Sequence, residues 1–264
     1  KGLLDQYGSD AVRYWAANGR PGTDTAFDEG QMKIGRRLAI KILNASKFSL
    51  TLASNSEANL SSVSNPLDQA LLTKLSDLIE TTTLAFDEFD YARALERTEQ
   101  FFWGFTDDYV ELVKARAYGS QGAQEAESAH VTLKITLETL LRLFAPFLPF
   151  VTAEVWSWSH QDSIHAAPWP TPADLSKGLT REIDIRMLDA APETLSEIRR
   201  AKTEAKRSLK VKAAKVVVSA SKERIEHVNL IRGDLVEAGN IDALELVEHE
   251  EASSSVEVTL ADEE

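Results

Sequence analysis

Long amphipathic segments dominate the sequence as far as Trp158 and constrain the fold most strongly. Apolar residues recur there at three- and four-residue spacing, which predicts α-helices that each bury one face. The predicted helices are Ser9–Asn18, Asp28–Leu52, one from Pro66, Asp90–Ala117, Ala123–Phe144 and Pro149–Trp158. Ser9, Asp28 and Asp90 are residue types that cap helix starts. Long helices joined by short loops predict an up-and-down helical bundle.

After Trp169 the long helical patterns give way to a loop and then to shorter predicted helices and strands. Residues 170–180 contain prolines and a glycine and predict a loop. The elements predicted beyond it are a helix Pro192–Leu209, a strand Val216–Val218, a helix Lys222–Ala238 and strands Ile241–Val247 and Val256–Leu260. The predicted fold class is therefore mainly α, with a small α+β appendage. A linker helix is expected in residues 1–20, the bundle in 21–170 and the α+β subdomain in 180–264.

Composition narrows the class of function. The chain has 264 residues and no cysteine, which excludes disulfides and thiolate metal sites and fits a reducing cytoplasm. Its histidines show no metal spacing, and its glycines and serines form no phosphate-binding, dinucleotide-binding or GxSxG motif. We therefore expect no catalytic site, metal or cofactor in this chain. The most apolar stretch, Leu140–Trp156, contains Arg142 and Glu154, so no membrane span is predicted.

A basic ridge on the predicted Asp28–Leu52 helix is the first candidate binding surface. The basic ridge consists of Lys33, Arg37, Lys41, Asn44, Lys47 and Phe48. The net charge of −13 disfavours nucleic acid overall, but a local basic face is sufficient to bind a polyanion. This ridge offers cations for phosphates, an aromatic ring for stacking and donors for base edges, which suit unpaired RNA. The alternative, which spacing alone favours, is a solvated basic stripe with Phe48 in the core.

A second group of cations lies in the predicted appendage. The second basic run consists of Arg199, Arg200, Lys206, Arg207 and Lys210, with further cations nearby at 202, 212, 215, 222 and 224. It would suit an RNA phosphate backbone, or equally the exposed face of an amphipathic helix balanced by the acidic residues 245–264. An aromatic block, made of Phe101, Phe102, Trp103, Phe105 and Tyr109, is typical of bundle core. Structural roles are predicted for Asp107, Asp108 and Glu111 beside it.

Several longer motifs resemble one protein family. They are Tyr7–Trp15, Gly19–Asp28, Gly35–Phe48, Phe101–Trp103, Asp108–Glu111, Leu143–Val151 and Ser163–Pro170. In this order they resemble the valyl-tRNA synthetases, which are class I aminoacyl-tRNA synthetases. The resemblance implies that the bundle is an anticodon-binding domain. It also implies that a catalytic Rossmann domain with an editing insertion precedes Lys1, so that the chain is a piece of a longer protein.

The same resemblance implies what this piece does. The whole enzyme would attach valine to its tRNA with ATP and Mg²⁺, but the HIGH and KMSKS motifs that handle ATP are not in this sequence. The chain alone is expected to bind tRNA(Val) without catalysis, to bind no DNA and no membrane, and to be a cytoplasmic monomer. Valine anticodons share the middle A and the final C. By position, Phe48 would stack on an anticodon base, and Lys41 and Lys47 would contact base edges or phosphates.

The sequence departs from the family at two points. Some relatives have an arginine where this chain has Gly30, which leaves that role to Lys33 or Arg37. No heptads follow Leu246, so the coiled-coil arm of many bacterial relatives was either cut off or is absent in this lineage. Two alternatives stay open: an acidic helical protein-interaction module that does not bind RNA, and the equivalent domain of an isoleucyl or leucyl relative.

Overall fold

The helices expected from apolar periodicity are present in the computed structural model, which describes residues 2–53, 59–176, 179, 183–249 and 254–261. They are α1 Gly2–Tyr7, α2 Ser9–Ala17, α3 Glu29–Leu52, α4 Pro66–Asp87, α5 Tyr91–Trp103, α6 Val110–Ala117, α7 Ala123–Phe144 and α8 Pro149–Trp156, together with the short helix α9 Pro172–Ser176, which was not predicted. Asp28 accepts a hydrogen bond from the Gly30 N–H at 2.7 Å, and Asp90 accepts one from the Arg93 N–H at 3.1 Å. Both predicted caps therefore satisfy an N–H that the first helical turn leaves unpaired.

A three-stranded sheet with three helices forms the C-terminal part. Its elements are α10 Ala190–Glu204, β1 Ala213–Ala220, α11 Lys222–Leu230, α12 Arg232–Gly239, β2 Leu244–Glu248 and β3 Ser255–Leu260. β1 lies in the centre, with β2 parallel to it and β3 antiparallel. Val216 faces Leu244 on one side and Val258 on the other, and its side chain is fully buried. The prediction of a mainly α fold with a small α+β appendage is confirmed.

The chain divides into two compact units. Unit 1 consists of Lys1–Ser61, Leu72–Gly104 and His130–Leu179. Unit 2 consists of Ser62–Leu71, Phe105–Ala129 and Thr180–Glu264. Each unit is therefore assembled from three separate segments of the sequence, and each is described below by itself.

A π-helical stretch interrupts the predicted helix Asp90–Ala117. The chain forms α5, then a π-helix over Gly104–Tyr109, and then α6. A π turn inserts an extra residue into a helix, and glycine at its start has little preference for a regular α-helix. Phe105 and Tyr109 are both buried within this stretch, with their rings stacked at a centroid distance of 6.0 Å. The prediction of one continuous α-helix was therefore wrong at Gly104–Tyr109, where a residue with low helix preference precedes two buried, stacked rings.

The appendage differs from its prediction in two helices. The predicted helix Lys222–Ala238 breaks at Ile231, whose side chain is buried, into α11 and α12. The helix predicted over Pro192–Leu209 is α10, which begins at Ala190 and ends at Glu204. It ends there because Lys206 adopts a left-handed backbone conformation with a φ of 54°, which cannot continue an α-helix.

Two smaller predictions also need correction, and part of a third lies outside the described residues. The N-cap of α2 is Gly8, with a φ of 88°, and Ser9 is the first helical residue. The predicted loop 170–180 contains the short helix α9, while its residues 177–178 and 180 lie outside the described residues. In the acidic segment 245–264, residues 250–253 and 262–264 also lie outside the described residues.

Residues of two distant sequence motifs hold the start of α8 within unit 1. Pro149 is its first residue, and the Asp10 carboxylate accepts hydrogen bonds from the next two backbone N–H groups, Phe150 at 3.1 Å and Val151 at 2.7 Å. Arg13 donates to the carbonyl oxygens of Phe147 at 3.2 Å and Pro146 at 2.8 Å. An acidic side chain at a helix N-terminus satisfies the unpaired N–H groups and opposes the positive end of the helix dipole. Asp10 therefore acts as a cap supplied from another helix.

We expect Asp10→Ala to lower the free energy of unfolding by about 1–3 kcal/mol, because it leaves buried N–H groups of α8 without an acceptor. Urea denaturation followed by tryptophan fluorescence measures this. Asp5→Ala, which removes an exposed carboxylate in α1, is the control and should change the free energy of unfolding by less than about 0.5 kcal/mol. Equal stability of the two variants would contradict the capping role.

Candidate nucleic-acid interface

The basic ridge lies along the outer side of α3 in unit 1. Met32, Leu38 and Ile42 of α3 are buried and form its core-facing stripe. On the ridge, four residues are exposed and two are half-buried: Lys33, Arg37, Asn44 and Lys47 are exposed, and Lys41 and Phe48 are half-buried. Phe48 therefore lies at the edge of the core, with part of its ring accessible. The ridge thus presents cations, an amide and an aromatic ring on one helix; their role in binding stays a prediction.

A chain of polar contacts fixes the middle of the ridge. Lys41 Nζ lies 5.9 Å from the centre of the Trp103 ring, a cation–π distance. The Trp103 indole N–H donates to one oxygen of Glu99 at 3.1 Å, and the Tyr14 hydroxyl donates to the other at 2.6 Å. Burial, and then the hydrogen bond with Glu99, raise the pKa of Tyr14, so its hydroxyl remains a donor at neutral pH.

Trp103 differs from the other members of the aromatic block. Phe101, Phe102, Phe105 and Tyr109 are buried, as predicted for bundle core, but Trp103 is half-buried and lies at the surface. The core interpretation was therefore wrong for this residue. Its position one residue beyond Phe102, about 100° further around a helix, is the signal that separates it from the buried face.

An open cleft lies between the loop 18–26 and one face of α5. This α5 cleft has a volume of about 930 Å³, and its lining includes Asn18, Arg20, Asp24, Glu96, Glu99, Gln100 and Trp103. Arg20 lies 3.6 Å from Asp90 and 4.0 Å from Glu96. Carboxylates thus outnumber cations along the cleft, in contrast to the ridge that adjoins it at Trp103.

The cations of the second basic run in unit 2 differ in their exposure and in their ion pairs. Arg200 pairs with Glu197 at 2.5 Å and with Glu204 at 3.8 Å, and Arg207 donates to the Ala261 carbonyl oxygen at 3.3 Å. Arg199, Lys206 and Lys210 are exposed. The run does not follow a single helix face, because α10 ends before Lys206.

Lys202, between the predicted members of that run, has a structural role. Its side chain is buried, and its Nζ donates to the carbonyl oxygens of Leu209 at 3.1 Å and Gly239 at 3.3 Å. Burial lowers the pKa of this ammonium group. Lys202 therefore holds the end of α12 and the loop after α10 together instead of facing solvent.

A buried ionic network in unit 2 was not anticipated from the sequence. Arg116 on α6 is fully buried, with Nη2 2.6 Å and Nη1 2.8 Å from the Asp68 carboxylate and Nε 2.8 Å from Asp234 on α12. Tyr109 and Ser128 each donate a hydroxyl to Asp68 at 2.6 Å. An arginine inside a helical pattern gives no local signal that distinguishes burial from exposure.

Burial sets the protonation of this network. It raises the pKa of Asp234 to about 6, because the loss of water outweighs the attraction of Arg116. Burial and then the charge of Asp68 raise the pKa of Tyr109. For Arg116, burial favours the neutral form, but the hydrogen bond with Asp68 and the negative charges around it raise its pKa overall. Arg116 therefore stays charged and holds two carboxylates together.

Comparison with known proteins assigns this fold to a family. The profile of the family described as "Anticodon-binding domain of tRNA ligase" matches residues 68–218. The chain belongs to this family. The matched residues include α5, the second basic run and every member of the buried network except Asp234, whereas α3 with the basic ridge precedes them.

Sequence relatives of this anticodon-binding domain extend over α3 as well. Valine--tRNA ligase of Thermobifida fusca (strain YX) is 49% identical over 260 residues, which are 98% of this chain and 29% of the relative. Valine--tRNA ligase of Salinispora tropica is 47% identical over 93% of this chain and 30% of its own length. The chain thus spans less than a third of the length of these relatives.

A solved structure supports the fold independently. The ternary complex of Agrobacterium radiobacter K84 agnB2 LeuRS with tRNA and LeuAMS contains a chain that matches 67% of this chain and 21% of its own, with a TM-score of 0.50 and 18% identity. Among the described residues, no helix is long and apolar enough to cross a membrane. The same part of the chain contains no group of side chains suited to hold a metal ion.

Proposed function

We propose that this anticodon-binding domain recognises the anticodon of tRNA(Val) as part of a valine–tRNA ligase. The observation that supports it best is the basic ridge, in which exposed cations adjoin the half-buried ring of Phe48. The valine--tRNA ligase relatives point to the same substrate. In the longer protein, catalysis with ATP and Mg²⁺ would reside in domains outside this chain. We further propose that the protein acts as a monomer in the cytoplasm.

The chemistry of the ridge suits a single-stranded RNA loop. Lys33, Arg37 and Lys47 can each displace counterions from a phosphate, which makes binding favourable and salt-dependent. An unpaired base can stack on the accessible part of the Phe48 ring. Asn44 offers an amide that both donates and accepts, so it can pair with a base edge. Because these side chains share one helix, their spacing is fixed before RNA binds, and less conformational entropy is lost on binding.

The test is binding of the 264-residue chain to tRNA(Val) transcripts, measured by fluorescence anisotropy at several salt concentrations. We expect the affinity to fall as salt rises and to fall when the middle A of the anticodon is changed. Phe48→Ala should weaken binding by about 1–3 kcal/mol because it removes a stacking platform.

Phe150→Ala is the matched control, since Phe150 is an exposed ring on α8 in the same unit. The affinity of the Phe150→Ala variant for tRNA(Val) should equal that of the parent chain. Far-UV circular dichroism checks that Phe48→Ala keeps its helicity; if it does not, Asn44→Ala, which alters an exposed residue, provides the same comparison. Equal affinity for transcripts with and without the middle A would refute the proposal, and no measurable affinity for either transcript would favour an acidic protein-interaction module that does not bind RNA.

A further inference from the structure

Trp103 connects the basic ridge with the α5 cleft. One residue of the ridge, Lys41, lies over the Trp103 ring, and the same tryptophan lines the cleft. Its indole N–H is held by Glu99, so the ring has a fixed orientation. The Trp103 ring is therefore a neighbour of both the Lys41 ammonium group and the cleft. A nucleotide is longer than an indole ring. A nucleotide whose phosphate binds Lys41 can therefore place its base in the cleft.

The cleft offers hydrogen-bond acceptors at its Trp103 end. Glu99 and Gln100 lie next to Trp103 on α5, and ionised carboxylates only accept hydrogen bonds. Glu99 receives one donor on each oxygen, Tyr14 and Trp103, and each carboxylate oxygen has two lone pairs. Its acceptor positions are therefore fixed by two hydrogen bonds and retain capacity for a further donor. A phosphate would be repelled here, whereas a base amino group would be accepted.

We propose that the α5 cleft receives one unpaired anticodon base through its exocyclic amino group. Glu99 accepts a hydrogen bond from that group, and Trp103 is a positioning residue that orients Glu99 on one side and Lys41 on the other. This inference rests on the proposed function. It agrees with the genetic code, because the two bases that valine anticodons share, A and C, both have an exocyclic amino group, whereas U presents a carbonyl oxygen in its place.

The experiment uses synthetic anticodon stem-loops of tRNA(Val) and the 264-residue chain. In one stem-loop the middle A is replaced by unsubstituted purine, and in another the final C is replaced by pyrimidin-2-one, so that each lacks only the amino group. For the parent chain, loss of the recognised amino group should weaken binding about 10- to 100-fold, as for a hydrogen bond to a charged group. In Glu99→Gln this difference should shrink to less than about threefold, because one acceptor becomes a donor.

Two further variants separate recognition from stability and charge. Glu88→Gln makes the same charge change at an exposed residue of unit 1 outside the cleft lining, and it should keep the full discrimination. Trp103→Phe retains an aromatic ring under Lys41 but removes the indole N–H, so discrimination should fall while salt dependence stays. If Glu99→Gln loses helicity, Trp103→Phe decides the question.

Failure of this inference differs from failure of the proposed function. If amino-group deletion weakens binding equally in the parent and in Glu99→Gln, the cleft assignment is overturned, while recognition of the anticodon stands. If the parent tolerates both deletions, the cleft assignment is also wrong. If the parent binds every anticodon sequence equally, both proposals fall.

Discussion

Arg116→Met is expected to lower the free energy of unfolding by about 3–5 kcal/mol at pH 7, which is the typical cost of removing one partner from a buried ionic network. The substitution keeps an unbranched side chain but leaves Asp68 and Asp234 buried without their cation. Amide hydrogen exchange in α6 and α12 measures the effect in unit 2. This method is required because all five tryptophans of the chain lie in unit 1 and fluorescence would not report on it.

Arg93→Met is the matched control. Arg93 forms an exposed ion pair with Asp90 at 3.3 Å, and surface pairs contribute about 0–1 kcal/mol. In Arg116→Met, the loss should be smaller at pH 5 than at pH 7. Without the cation, the folded-state pKa of Asp234 rises further above its unfolded value, so the variant gains stability relative to the parent as protons bind. A loss below about 1 kcal/mol at pH 7 would show that the network is not the main tie between α6 and α12.

Gly35→Ala is expected to destabilise unit 1 by up to about 2 kcal/mol, although alanine is the better helix former. Within α3, exchange of glycine for alanine should contribute about 1 kcal/mol of stability. The new Cβ, however, would lie 2.6 Å from Cβ and 2.7 Å from Cγ of Tyr14. Those atoms are close to the backbone of α2, and the Tyr14 hydroxyl is held by Glu99, so relief requires a shift of the helix. Overpacking of this kind typically costs about 1–3 kcal/mol or more.

Gly104→Ala tests the same exchange without the clash. A Cβ at Gly104 would meet no atom within 4 Å, and the backbone there is helical, with a φ of −59°. This variant should be as stable as the parent or more stable by up to about 1 kcal/mol. Urea denaturation followed by tryptophan fluorescence compares the two. If Gly35→Ala were stabilised as Gly104→Ala is, close packing of α2 on α3 would not be the reason for glycine at this position.

Local signals are sufficient to predict the long helices and the ridge. A cap such as Asp28 acts on an N–H two residues away, and the helical period determines which residues share a face. The spacing of Lys33 and Arg37 therefore predicts that they lie on one line of the helix, and both are exposed on α3. The prediction that they bind RNA still depends on the family resemblance of several motifs, because the same charges would suit an ordinary solvated helix.

Contacts between distant residues could not be predicted from such signals. Arg116 and Asp234 are separated by 118 positions, and nothing near either residue indicates that they meet. Trp103 belongs to an aromatic block that is otherwise core, and its role at the surface depends on Lys41 of another helix. The break at Ile231, whose side chain is buried, likewise has no local signal in a sequence that is compatible with one continuous helix.

The cap that Asp10 provides for α8 also bears on the order of folding. Its hydrogen bond with Val151 joins residues 141 positions apart. Closing so long a loop has an entropic cost that only the surrounding contacts of unit 1 can offset. We therefore expect the N-terminus of α8 to be completed late in folding. During synthesis on the ribosome, unit 1 cannot reach its final state until Val151 has left the exit tunnel. Until then, Asp10 of α2 has no α8 N–H groups to bind.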